Sequence, residues 1–137
     1  MAAFMRPFES QVYAIFRIVI GLMFMIHGAQ KLFGLPVPMQ AEMGPLLYAA
    51  GAIEFVGGLL VMIGLFTTWA AFICSGQMAV AYWMAHGLRF MSREGPGWPA
   101  LFPHVNLGEL AVLYCFVFLF ISARGAGIWS VDATRAR

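Results

Sequence analysis

Charge is what this chain has least of. Only 10% of its 137 residues are Asp, Glu, Lys or Arg, where a soluble domain carries about a quarter. That is too little polar surface to cover a body in water. A mean hydropathy of +0.84 points the same way, so the chain reads as an integral membrane protein. The net charge of +2 is spread thinly, and no basic stripe suggests nucleic acid. Cysteine is nearly missing too. Cys74 and Cys115 each stand inside an apolar run, outside any C-x-x-C spacing, and read as small buried apolar side chains. No cleavable signal peptide is expected either, since the first apolar run continues to Lys31 with no A-x-A-like cleavage site; the first span is expected to stay in the mature protein. Finally, the apolar residues do not alternate. In lipid only helices and closed barrels satisfy every backbone polar group, and continuous runs select helices.

What is there is four such runs, at about Val12–Phe33, Leu46–Phe66, Trp69–His86 and Leu107–Ala123. Each is long enough, at about 1.5 Å per residue, for a hydrocarbon core of about 30 Å. The expected fold is therefore all-α, a transmembrane four-helix bundle forming a single domain over residues 1–137. A short leader with Phe4, Met5, Arg6 and Phe8 precedes it. Gly34-Leu-Pro-Val-Pro ends the first span, Thr67-Thr68 makes a minimal turn, and a polar tail runs from Arg124 and is expected to fray at its end. The loop Gly87–Asn106, with Trp98, Phe102 and several prolines, suits the headgroup region. Four spans place both termini on one side, with Arg6, Arg124, Arg135 and Arg137. Lys31, Arg89 and Arg93 fall on the other, so the positive-inside rule favours cytoplasmic termini.

Against this apolar background the polar residues stand out, because ionisable groups at membrane depth usually face the protein interior or a polar cavity. Span one carries Arg17, His27 and Lys31, span two Glu54, span three Gln77, and span four opens with Glu109. Because successive spans reverse direction, His27, Lys31, Glu54 and Glu109 fall in the half of the bundle away from the termini, with Gln77 nearer the middle. At about 100° per residue, Arg17, Gly21, Phe24, Gly28 and Lys31 share a narrow stripe flanked by His27. His27 and Lys31, four residues apart, suit one common partner, and Glu54 and Glu109 are the expected counter-charges. Arg17 lies deeper toward the terminal side, where packing or a headgroup contact explains it as well as a ligand does.

The same network would serve packing and register alone. His86 and His104 sit near the aqueous edge, and with His27 they show no metal-ligand spacing, so no metal site is expected. The ten methionines read as flexible packing. Met25-Ile-His-Gly against Met84-Ala-His-Gly, and Ile53-Glu-Phe-Val against Gly108-Glu-Leu-Ala, suggest two helical hairpins of one plan, although matches this short also arise by coincidence. The small residues of span two, including Gly51, Gly57 and Gly58, suit close helix contact, within the chain or across a homodimer.

In order along the chain, Arg17-x3-Gly21 with His27-Gly28-x2-Lys31-Leu-Phe-Gly, Ala52-Ile-Glu54-x2-Gly57-Gly58 with Gly64-Leu, Gly108-Glu109-Leu, and Gly125-x-Gly127-x2-Ser130-x-Asp132 resemble the DoxX family. The resemblance implies four transmembrane helices in a bacterial or archaeal inner membrane. It also implies links to quinone-coupled sulfur oxidation and to membrane complexes handling thiol or oxidative stress. The chain itself has no flavin, haem or cluster motif, so electrons would come from another subunit or a soluble redox protein, and at most it would be an accessory subunit of a membrane oxidoreductase. The expected ligand is a non-covalent quinone or similar amphipathic redox partner, contacted by Arg17, His27, Lys31, Glu54, Gln77 and Glu109. Lys31 or Arg17 would favour its reduced, negatively charged form, and His27 and Glu54 would exchange protons. The alternatives are a non-enzymatic membrane scaffold and a small-molecule carrier.

Overall fold

A computed structural model describes residues 3–39, 44–87 and 97–135 of the chain. Among these residues the fold is all-helical. A 3-10 turn, Arg6–Phe8, leads into α1 (Glu9–Phe33), which is followed by α2 (Pro45–Ile63), α3 (Thr67–Ala85), a second 3-10 turn (Trp98–Leu101), α4 (Glu109–Arg124) and the short α5 (Val131–Arg135). The helix ends follow from glycine and proline. Gly34 closes α1 with a left-handed φ of 69°, and Gly64 closes α2 with a φ of 72°. Such a conformation carries little penalty without a Cβ. Pro45 starts α2, where its missing N–H would have no partner in any case. The second helix thus ends three residues before the expected Phe66. Leu65 N–H then donates back to the Leu60 carbonyl at 2.9 Å, completing the turn.

Among the described residues, two helices are long and apolar enough to cross a membrane, Arg6–Phe33 (with its leading turn) and Pro45–Ile63. The fourth helix is shorter than expected: its 16 residues span about 24 Å at about 1.5 Å each. Arg89, Arg93 and Arg137, which entered the charge asymmetry, lie outside the described residues.

The first two helices pack most intimately, through glycine on both sides. A Cβ on Gly21 would stand 2.7 Å from the Gly58 carbonyl oxygen, and one on Gly58 would stand 2.7 Å from that of Gly21. Gly28 meets Gly51 in the same way, 2.7 Å from its carbonyl oxygen. The small-residue face at Gly51 and Gly58 is therefore used inside the chain. By contrast, α1 and α4 meet through rings: Phe24 lies 4.6 Å from Phe118 between centroids, and Tyr13 lies 6.1 Å from Phe120. Phe24, Val61, Cys74, Tyr114, Phe118 and Ile121 fill the core between the four long helices. The apparent hairpin repeat is not matched by equivalent positions. Glu54 lies well inside α2 while Glu109 is the first residue of α4, and His27 lies within α1 while His86 follows the end of α3.

The tail turns back under the α2–α3 turn, buries Ser130, and ties Asp132 N–H to the Gly64 carbonyl at 2.9 Å; the end expected to fray, residues 136–137, lies outside the described residues.

Candidate functional site

Lys31, Glu54 and Gln77 come together from three helices. The Gly28–Gly51 approach draws the last turn of α1 over α2, and Gly51 makes room for the lysine stem, since a Cβ there would meet that of Lys31 at 2.9 Å. Lys31 Nζ donates to Glu54 Oε1, forming an ion pair. Gln77 Nε2 donates to the same oxygen at 3.1 Å. Glu54 is only 1% exposed, so pairing is what makes its charge tolerable there. Among the described residues the second carboxylate oxygen, Oε2, has no partner, nor do Gln77 Oε1 and the Tyr114 hydroxyl, and all three atoms are buried.

Lys31, Glu54, Gln77 and Tyr114 all line one cavity of about 830 Å³. Apolar side chains of all four long helices make its walls, among them Phe24, Ile53, Phe72, Met78, Ala111 and Leu110, and the polar cluster sits on its inner side. His27 joins the lining, its ring edge-on to Tyr114 at 6.1 Å. Gly76 leaves space in the α3 wall: a Cβ there would meet nothing within 4 Å. Exposed Leu46, Phe72, Ile73, Val80 and Met84 on α2 and α3 mark where the cavity opens on the protein's apolar flank.

Of the six residues expected at a common site, four meet here: His27, Lys31, Glu54 and Gln77. Glu109 does not line the cavity; it is exposed in the first turn of α4. That turn begins outside the polar cluster, and Leu110, Ala111 and Tyr114 reach the cavity from α4 instead. His86 lines its edge, with Nδ1 2.8 Å from the Asn106 carbonyl oxygen. His104 is exposed beside the Phe102 ring. Sequence reasoning missed Tyr114. Its signal was a phenol inside an otherwise apolar span, a group that needs a hydrogen-bond partner when buried.

Arg17 is somewhere else. It is wholly buried and ten residues before His27, about 15 Å along the helix. Its Nη1 donates to the Val61 and Met62 carbonyls at 2.7 Å each, and its Nη2 donates to the Trp129 carbonyl at 2.7 Å. The guanidinium thus caps the C-terminal end of α2, where carbonyls lack helical partners and the helix dipole is negative, and binds the returning tail to it. Asp132 does the reverse at the start of α3. Its carboxylate accepts from the Phe66 and Thr67 N–H groups and from the Thr67 hydroxyl, each at 2.9 Å. Partial burial works against its charged form, but those donors and the Arg135 guanidinium outweigh it and hold the Asp132 carboxyl below the usual carboxylate range.

The DoxX family pattern matches residues 12–87, more than half of the chain. A protein of Haemophilus influenzae described as uncharacterized is 42% identical over 132 residues, covering 93% of each chain. No solved structure matches. With the ordered motifs, the two apolar helices and these matches together, the chain belongs to the DoxX family of membrane-associated proteins.

Proposed function

We propose that this is a four-span inner-membrane protein of a bacterium or archaeon, with cytoplasmic termini, that binds a quinone or a similar amphipathic redox partner as an accessory part of a membrane oxidoreductase. The observation that carries the reading is the cavity: about 830 Å³, apolar-walled, with Lys31, Glu54 and Gln77 clustered at one place in it. That combination suits a ring with polar substituents and an apolar tail. The outward faces of α3 and α4 support four spans, because Trp69, Phe72, Ile73, Leu113 and Phe116 are all exposed, and apolar faces of this extent call for a covering. In this reading the ring sits beside Lys31, and His27 and Glu54 exchange protons with it. Arg17 and Glu109 take no part. The electron donor is another subunit or a soluble protein.

The test is gentle purification of the full chain followed by lipid extraction and a visible spectrum. A co-purifying quinone, with quinone-dependent turnover of the complex lost in Glu54→Gln, is the expected result. A quinone-free protein tightly held to another polypeptide would instead favour a scaffold. The mutual bonding of Lys31, Glu54 and Gln77 within the chain also fits that role, and there Lys31→Met with Glu54→Gln would leave function unchanged.

A further inference from the structure

The unpartnered polar atoms of the cavity are unequal in kind, and their inventory specifies the ligand. Glu54 Oε2 and Gln77 Oε1 are acceptors without donors, and both are buried. The Gln77 amide cannot exchange its ends to change this: Nε2 faces Glu54 Oε1 at 3.1 Å, and a flipped amide would set oxygen against carboxylate. The Glu54 carboxylate, ion-paired to Lys31, offers lone pairs only. Tyr114 adds one hydroxyl, also buried and unpartnered, able to donate and to accept.

Resting on the reading of the cavity as a quinone-type site, we infer that it selects the hydroxyl form of the ring, the quinol, over the oxidised quinone. A ring hydroxyl can donate to Glu54 Oε2 or Gln77 Oε1 and can accept from Tyr114. A quinone carbonyl accepts from Tyr114 but leaves both buried acceptors facing lone pairs. Buried polar groups left without partners disfavour a ligand more strongly than added contacts favour it. The selection is one of binding and moves no electrons. A preference of about tenfold raises the two-electron potential of the bound couple by about 30 mV.

The experiment uses the full-length protein in lipid nanodiscs, under anaerobic conditions, with a short-chain benzoquinol, the matching benzoquinone and the quinol's dimethyl ether, and reads affinity by calorimetry. The quinol is expected to bind about tenfold more tightly than either of the others. Tyr114→Phe is expected to weaken quinol and quinone alike. Gln77→Met removes one acceptor and should narrow the gap. In Glu54→Gln the oxygen stays with Lys31 and the amide nitrogen faces the cavity, so the gap should close or reverse. Equal or tighter binding of the quinone by the wild-type protein overturns this inference and leaves the quinone site standing. Failure of both ring forms to bind overturns the quinone site and the inference with it. The unmutated protein with three ligands decides both, whatever the folding of the variants.

Discussion

Replacing Arg17 by methionine keeps most of the side-chain length and removes the guanidinium. Three short hydrogen bonds disappear, to Val61, Met62 and Trp129, all at 2.7 Å, with a longer one to Ile128 at 3.5 Å. A hydrogen bond from a charged donor contributes about 1.5–3 kcal/mol, and a buried carbonyl left unmet costs about 1–3 kcal/mol. Release of a buried charge offsets part of this, which leaves a net loss of about 3 kcal/mol, or roughly 10 °C in melting temperature for a chain of this size. The damage should be local at first, with the tail losing its anchor and becoming open to protease near Trp129. Arg17→Lys keeps the charge on a single ammonium that cannot fork between α2 and the tail, and should fall between wild type and Arg17→Met. The measurement is thermal unfolding in detergent by circular dichroism, with limited proteolysis beside it and ligand affinity as a control. An Arg17→Met protein that melts like wild type and keeps its tail protected would refute the capping role. Lost ligand binding with unchanged stability would return Arg17 to the ligand site.

Asp132 gives a pH dependence of fixed sign. Its folded-state carboxyl lies below the usual range, so its contribution to stability is present above the ordinary carboxylate value and lost as pH falls through the lowered one; tail protection from protease should fade in acid for wild type and be weak at every pH for Asp132→Asn. Glycine positions divide by what surrounds them. Gly28→Leu drives a side chain into the Gly51 carbonyl, 2.7 Å from the Cβ alone, and should cost about 3 kcal/mol or prevent folding, visible as a lost melting transition. Gly76→Leu adds a side chain at the exposed rim of the cavity, where a Cβ meets nothing within 4 Å, and should leave the melting temperature equal or higher, because leucine is the better helix former, while ligand affinity falls if the ligand enters past α3.

The sequence spoke clearly where periodicity or a conformational need acts over short range. Gly34, with the prolines after it, marks the end of α1, whereas α2 closes at Gly64, short of the expected Phe66. The stripe Arg17, Gly21, Phe24, Gly28 is the buried face of α1, and its spacing alone defines it. Lys31 and Glu54 were legible as a pair because a lysine and a carboxylate at similar depth in apolar spans need each other. Glu109 was not, because its expected place depended on where α4 begins, and a helix starting at that residue exposes it. The start of α4 lies after a loop whose path no local pattern specifies. The carbonyl cage around Arg17 and the Asp132 cap unite residues from 44 to 112 positions apart. Gly125-x-Gly127-x2-Ser130-x-Asp132 was visible as a motif, but nothing in its spacing says that it reaches back to Thr67 and Arg17. Tyr114 was hidden by its apolar neighbours, which make a phenol look like ordinary core.

The docked tail also orders assembly. Residues 128–132 follow α4 in the chain, yet they supply the third carbonyl to Arg17 and the only side-chain cap for the start of α3 among the described residues. While α1, α2 and α3 are already made but α4 is not, the start of α3 has open N–H groups and Arg17 has only the two carbonyls of α2. The α2–α3 turn can therefore reach its final form only after α4 has been synthesised. Until then that corner keeps its open N–H groups, and Arg17 lacks its carbonyl from the tail.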